Sequence, residues 1–117
     1  MTATVSTPLW QAVCRYDDLL PERGVCVLVD GVQVALFRTF DGALHAVGNV
    51  DPFSGASVLS RGIVGTRAGS PTVASPLLKQ VFDLSSGRCL DVEGVAIPVY
   101  GVRRDGDEVE VSLRCPS

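Results

Sequence analysis

Apolar and polar positions alternate with a period of two along much of this chain, and no long stretch carries a helical period. The clearest case lies near the end. There Val109, Val111 and Leu113 alternate with Glu108, Glu110 and Ser112, the pattern of a half-buried strand. A β-rich run at 99–104 precedes it across Asp105-Gly106, a pair that supplies the positive φ angles of a tight hairpin turn. The same signal recurs at Asp30-Gly31, between runs at 25–29 and 32–39, and at Asp41-Gly42, before a run at 43–47. Further strands are expected at 9–15, 63–66, 72–74 and 81–84. Helical signal is limited to two short turns. One covers 17–22, with Asp17 as N-cap and Pro21 limiting its length, and the other covers 57–60. Hairpin-linked short strands predict an all-β, mostly antiparallel fold, a small barrel or sandwich.

A chain of 117 residues is expected to form one domain, here 9–114 behind a frayed tail at 1–8. Composition sharpens this. Hydrophobic residues make up 46% and charged residues 20%, enough to bury a core. The net charge of −3, with no basic cluster larger than Arg103-Arg104, disfavours nucleic acid as a partner. The N-terminus lacks a basic and then apolar leader, and no apolar run approaches membrane-spanning length, so a cytoplasmic protein without membrane contact is expected. Cys14, Cys26, Cys89 and Cys115 form no C-x-x-C pair and are expected to be reduced thiols. His45 is read as a structural strand histidine. No glycine-rich nucleotide loop is present.

Two loops stand out within an inserted segment at 48–80. The first, 48–62, is long for so short a chain, and such loops are often functional. It contains Asn49-Val50-Asp51-Pro52-Phe53. The second contains Ser75-Pro76-Leu77-Leu78, followed by Phe82-Asp83-Leu84-Ser85-Ser86-Gly87. This layout resembles a Rieske domain, whose loops read N-x-C-P-H and C-P-x-H before F-D-x-x-T-G. The asparagine, both prolines and the Phe-Asp…Gly turn are kept. The four ligand positions are changed: Asp51 and Ser75 stand where cysteines would be, Phe53 and Leu78 where histidines would be. Independently of that alignment, a Rieske centre needs two histidines, and the chain has one. No 2Fe-2S cluster is therefore expected, and an electron-carrying ferredoxin is disfavoured.

More specifically, Asn49 to Phe53, the segment Leu59-Ser60-Arg61-Gly62 and the segment from Ser75 to Cys89 resemble the small subunits of assimilatory NAD(P)H-dependent nitrite reductases. That family is Rieske-like without its cluster. The resemblance implies a non-redox subunit, with no catalytic, cofactor or metal site of its own. It would dock on a large subunit carrying FAD, siroheme and a 4Fe-4S cluster, which reduces nitrite to ammonium. The alternative is a stand-alone protein-binding or regulatory module on a degenerate Rieske scaffold.

The residues themselves suggest limited chemistry. Asp51 has no second catalytic group in view beyond Ser75, and an Asp–Ser pair without histidine is no hydrolase constellation. Its expected role is to hydrogen-bond loop amides or Ser75 in place of a metal bridge. Phe53 and Leu78 are open to two readings: they fill the space of the lost cluster, or they form an apolar tip that docks a partner. Asn49, Phe53, Arg61, Leu77, Leu78 and Lys79 are the candidate partner-facing residues; Arg61 and Lys79 are open to two readings, solvated surface charges or contacts to an acidic surface.

Overall fold

A computed structural model describes residues 10–113, so the tail expected at 1–8 and Cys115 lie outside the described residues. Among the described residues, nine strands form two antiparallel sheets: β1 (Gln11–Arg15), β2 (Gly24–Val29), β3 (Val32–Arg38), β4 (Leu44–Gly48), β5 (Ile63–Arg67), β6 (Ser70–Ala74), β7 (Val81–Asp83), β8 (Val99–Asp105) and β9 (Glu108–Ser112). The larger sheet runs β1-β9-β8-β4-β3-β2, and the smaller runs β5-β6-β7. The edge strands β1 and β2 approach each other, so the larger sheet curls into a nearly closed barrel. The architecture is the all-β, mostly antiparallel one that the alternation predicts. Among the described residues, no helix is long and apolar enough to cross a membrane.

The core has two parts, separated by β3 and β4. On β3, Val34 and Leu36 enter the barrel interior with Tyr16, Leu19, Val29, Ala46, Val109 and Val111. The alternate residues Ala35 and Phe37 face out, and the small sheet and its loops cover them with Leu59, Val73, Phe82, Leu84, Cys89 and Ile97. This explains the unbroken apolar run Val34-Ala35-Leu36-Phe37: a strand buried on both faces loses its alternation. On β4, Ala46 and Val47 divide between the two cores in the same way.

Turn chemistry differs in detail from expectation. Asp30 and Gly31 have φ of 51° and 80°, a two-residue turn of the expected kind. At Asp41-Gly42 only Gly42 is left-handed, and the loop closes through the Thr39 amide to the Ala43 carbonyl. After β8 the turn residues are Gly106 and Asp107 rather than Asp105 and Gly106. Asp105 pairs with Glu108 and extends the strand. The first 3₁₀ turn is Tyr16–Asp18, capped at Arg15; Asp17 lies inside it, and Asp18 reaches back to the Arg15 amide. Its shift toward the N-terminus lets Tyr16 and Leu19 plug the barrel, while the Tyr16 ring lies between the Arg38 and Arg104 guanidiniums. The second 3₁₀ turn is Leu59–Arg61, starting two residues and ending one residue later than expected, with Leu59 buried in the outer core.

The Phe82-Asp83…Gly87 turn positions the second loop. The Asp83 carboxylate accepts from the Ser85 and Ser86 amides, and the Gly87 amide donates to the Asp83 carbonyl. Gly87 has φ of 80°, and a Cβ there would collide with the Ile97 carbonyl oxygen, so glycine is required.

Candidate functional site

Both long loops meet at one end of the molecule, beyond β4 and β6. Asp51 stands three residues past the end of β4, and Ser75 immediately follows β6. Asp51 is fully buried and Ser75 nearly so. The Ser75 hydroxyl donates to Asp51 Oδ2 at 2.6 Å, and the Phe53 amide donates to Asp51 Oδ1 at 2.8 Å. The first loop closes on itself through the Gly55 amide to the Asp51 carbonyl and the Asp51 amide to the Ala56 carbonyl. The second closes through the Ser75 amide to the Gln80 carbonyl, while the Lys79 amide donates to the Ser75 carbonyl. Lys79 takes the left-handed conformation, φ 67°, to make that return.

Burial raises the Asp51 pKa, but the hydrogen bonds from Ser75, the Phe53 amide and Ser54 outweigh it. The carboxyl is held below its ordinary range. The group is therefore a carboxylate at neutral pH, spent on loop donors. Its hydrogen bonds to Ser75 and to the Phe53 amide tie the two loops together. The Asp51-to-Phe53 bond is an Asx-turn, and the Asp-Pro-Phe sequence carried its signal.

The other candidates separate. Phe53 is half-buried and packs against the outer core, its ring 6.2 Å from that of Phe82. It fills space. Leu77 and Leu78 are each 51% exposed, and with exposed Lys79 they form the outer turn of the second loop. Asn49 does not face a partner: it is 2% exposed. Its Oδ1 accepts from the Ser60 amide at 2.7 Å, and its Nδ2 donates to Gln33 Oε1 at 3.1 Å. A buried amide must satisfy its polar atoms, and Asn49 does so by tying the far end of the first loop to β3. Arg61 is exposed, but it borders a groove with Glu22, Arg23 and Ile63 rather than joining Leu77–Lys79 in their turn. Sequence reasoning missed Gln33 and Ser60 because they come from separate segments and carry no local pattern.

Comparison with known proteins places this arrangement. A family model of the Rieske-like 2Fe-2S domain matches residues 9–112. The nitrite reductase (NADH) small subunit of Salmonella typhimurium is 48% identical over 99 residues, covering 83% of this chain and 92% of that protein. The crystal structure of a putative NADH-dependent nitrite reductase small subunit from Mycobacterium tuberculosis superposes with a TM-score of 0.88 at 54% identity, covering 96% of this chain and 100% of that one. A nitrite reductase [NAD(P)H] large subunit from Klebsiella oxytoca is 38% identical over 102 residues, covering 87% of this chain and 11% of that protein.

The 2Fe-2S group in the family description does not fit the residues present. A Rieske cluster takes two thiolates and two imidazoles. Here the thiolate positions hold a carboxylate and a hydroxyl in direct hydrogen bond at 2.6 Å. Two sulfur ligands of one tetrahedral metal, with bonds of about 2.3 Å, would need about 3.8 Å between them. The imidazole positions hold hydrocarbon, Phe53 packed inward and Leu78 exposed. Among the described residues, no three His, Cys, Asp or Glu side chains are grouped to hold a metal ion. The chain belongs to the Rieske-like domain family and, within it, to the small subunits of NADH nitrite reductase.

Proposed function

We propose that this chain is the non-redox small subunit of an NAD(P)H-dependent nitrite reductase. It docks on a large subunit carrying FAD, siroheme and a 4Fe-4S cluster and supports its reduction of nitrite to ammonium in nitrogen assimilation, in the cytoplasm. The chain holds no cluster and has no activity alone. The observation that carries this reading is the Asp51–Ser75 hydrogen bond, which ties the two loops together where Rieske domains use metal. Its ligand set being replaced, the tip is left with structure and surface as its contribution. The exposed Leu77-Leu78-Lys79 turn is the docking tip, apolar with one positive charge. The Klebsiella oxytoca match supports the choice of partner: a segment like this chain is there part of a protein named as the large subunit. A domain fused in one protein and separate in another is one expected to work in contact with the remainder.

Co-expression with the large subunit from the same cell tests this. The chain should co-purify with it and raise its yield or its nitrite-dependent NAD(P)H oxidation, while showing none alone. Leu77→Asp with Leu78→Asp should weaken association and leave the isolated chain folded. A large subunit that neither binds the chain nor responds to it would favour a stand-alone module instead.

A further inference from the structure

Among the described residues β5 has one strand neighbour, β6, and the other edge of β5 is free. The hairpin between them turns on Ala68 and Gly69, both left-handed, so Arg67 and Ser70 form the hydrogen-bonded pair beside the turn. Hydrogen-bonded and non-hydrogen-bonded pairs alternate in an antiparallel ladder. Gly65–Thr72 and Ile63–Ala74 are then hydrogen-bonded pairs, and Thr66–Pro71 and Val64–Val73 are not. Pro71, which has no N–H, sits where the ladder asks for none. The amides and carbonyls of Val64 and Thr66 therefore point away from β6. They make no other backbone hydrogen bond among the described residues.

This edge borders a groove whose far wall belongs to the barrel. Toward Ile63 the groove encloses about 400 Å³ and is bordered by Arg23, Gly24 and Arg61. Toward Thr66 it encloses about 270 Å³ and is bordered by Phe40, Asp41, Gly69 and Pro71, so there it extends onto the β5–β6 hairpin as well. Glu22 borders both halves. Its ends carry two of the most exposed apolar side chains, Ile63 at 74% and Phe40 at 78%. Arg23 and Arg61 make no ion pair among the described residues. The groove's carboxylates are already engaged: Glu22 accepts from the Phe40 amide, and Asp41 from Thr39 and the Ala43 amide. Beside Glu22, the Ile63 end of the groove carries the positive charges of Arg23 and Arg61.

We infer that the free edge of β5 receives an extended segment of the large subunit as a fourth strand. An acidic side chain of that segment meets Arg23 and Arg61, and apolar side chains cover Ile63 and Phe40. Unpaired backbone groups in a row select an extended peptide over a helix. This inference rests on the large subunit being the partner, and it names a contact separate from the Leu77–Lys79 turn.

Amide hydrogen exchange on the wild-type complex of the two subunits reads the edge directly. Val64 and Thr66 amides should slow by about tenfold or more on complex formation. Thr66→Pro removes an N–H that β6 does not use, so the isolated chain should melt as the parent does, while association weakens by about tenfold or more. Arg61→Glu should weaken association as well. Unprotected Val64 and Thr66 amides in a complex that the Leu77/Leu78 double variant disrupts would overturn the added strand and leave the proposed function standing. Protection that instead accompanies a dimer of this chain, lost in Thr66→Pro, would also overturn it. If the wild-type subunits do not associate at all, the proposed function fails and the inference fails with it. Should Thr66→Pro misfold, exchange in the wild-type complex still decides.

Discussion

Asp51 is the residue on which the tip turns. It is buried, charged and satisfied by loop donors, and one of those donors, Ser75, lies across the gap between loops. Removing its carboxylate strands the Ser75 hydroxyl and the Phe53 amide. Asp51→Ala should therefore cost about 1–3 kcal/mol in a urea melt. A melt unchanged from the parent would remove Asp51 from the role given to it. The linkage to pH follows from the lowered folded pKa. The folded chain holds the ionised form more strongly than the unfolded chain, whose value is about 3.9. The stabilisation is thus full above that value and is lost as pH falls through the folded one. Asp51→Asn should melt with a shallower acid limb than the parent. The pairing of Asp51 with Ser75 was legible in the sequence because the Rieske layout brings both positions to one site. The burial of Asn49 was not, since its partners Gln33 and Ser60 lie 16 and 11 residues away.

At the scale of elements, β3 and β4 carry the fold, because each feeds both cores. Phe37 is fully buried between β3 and the small sheet. Phe37→Ala should cost about 3–5 kcal/mol by chemical denaturation. On β4, half-buried His45 lies on the Val47 side of the strand, beside Leu84 and Ser85. Burial lowers its pKa, and Asp41, Asp83 and the Leu84 backbone only partly offset this. The folded chain then binds the proton less readily than the unfolded chain, whose value is about 6.5. Stability is full above about pH 6.5 and falls as pH drops through that value toward the folded one, a window distinct from that of Asp51. His45→Gln should narrow the difference in melting temperature between about pH 7.5 and 5.5. An undiminished difference would place the titrating group elsewhere. Strand existence was legible throughout, because two-residue alternation and Asp-Gly pairs are local signals. The exact turn residues were less so. Which of Asp105, Gly106 and Asp107 makes the turn depends on the β8–β9 register, set by Val109 and Val111 entering the barrel.

For the whole molecule, a barrel and a three-stranded sheet share one outer core, and the loops project from the end where the sheet meets β4. The layout of Rieske domains survives here with its ligand residues exchanged, which separates the architecture from the chemistry it commonly supports. The sequence showed this exchange directly, since ligand identity is a matter of four side chains. The groove beside β5 was hidden from it, because the groove exists only where residues 22–24 and 39–41 come to face 63–66. The claim at the centre is that a hydrogen bond stands at the tip in place of iron. It is tested most directly by the iron content and visible spectrum of the full chain, purified anaerobically from iron-replete cells and still competent to bind the large subunit. A colourless chain with no stoichiometric iron is expected. A brown chain with about two irons per molecule and visible charge-transfer bands would contradict it.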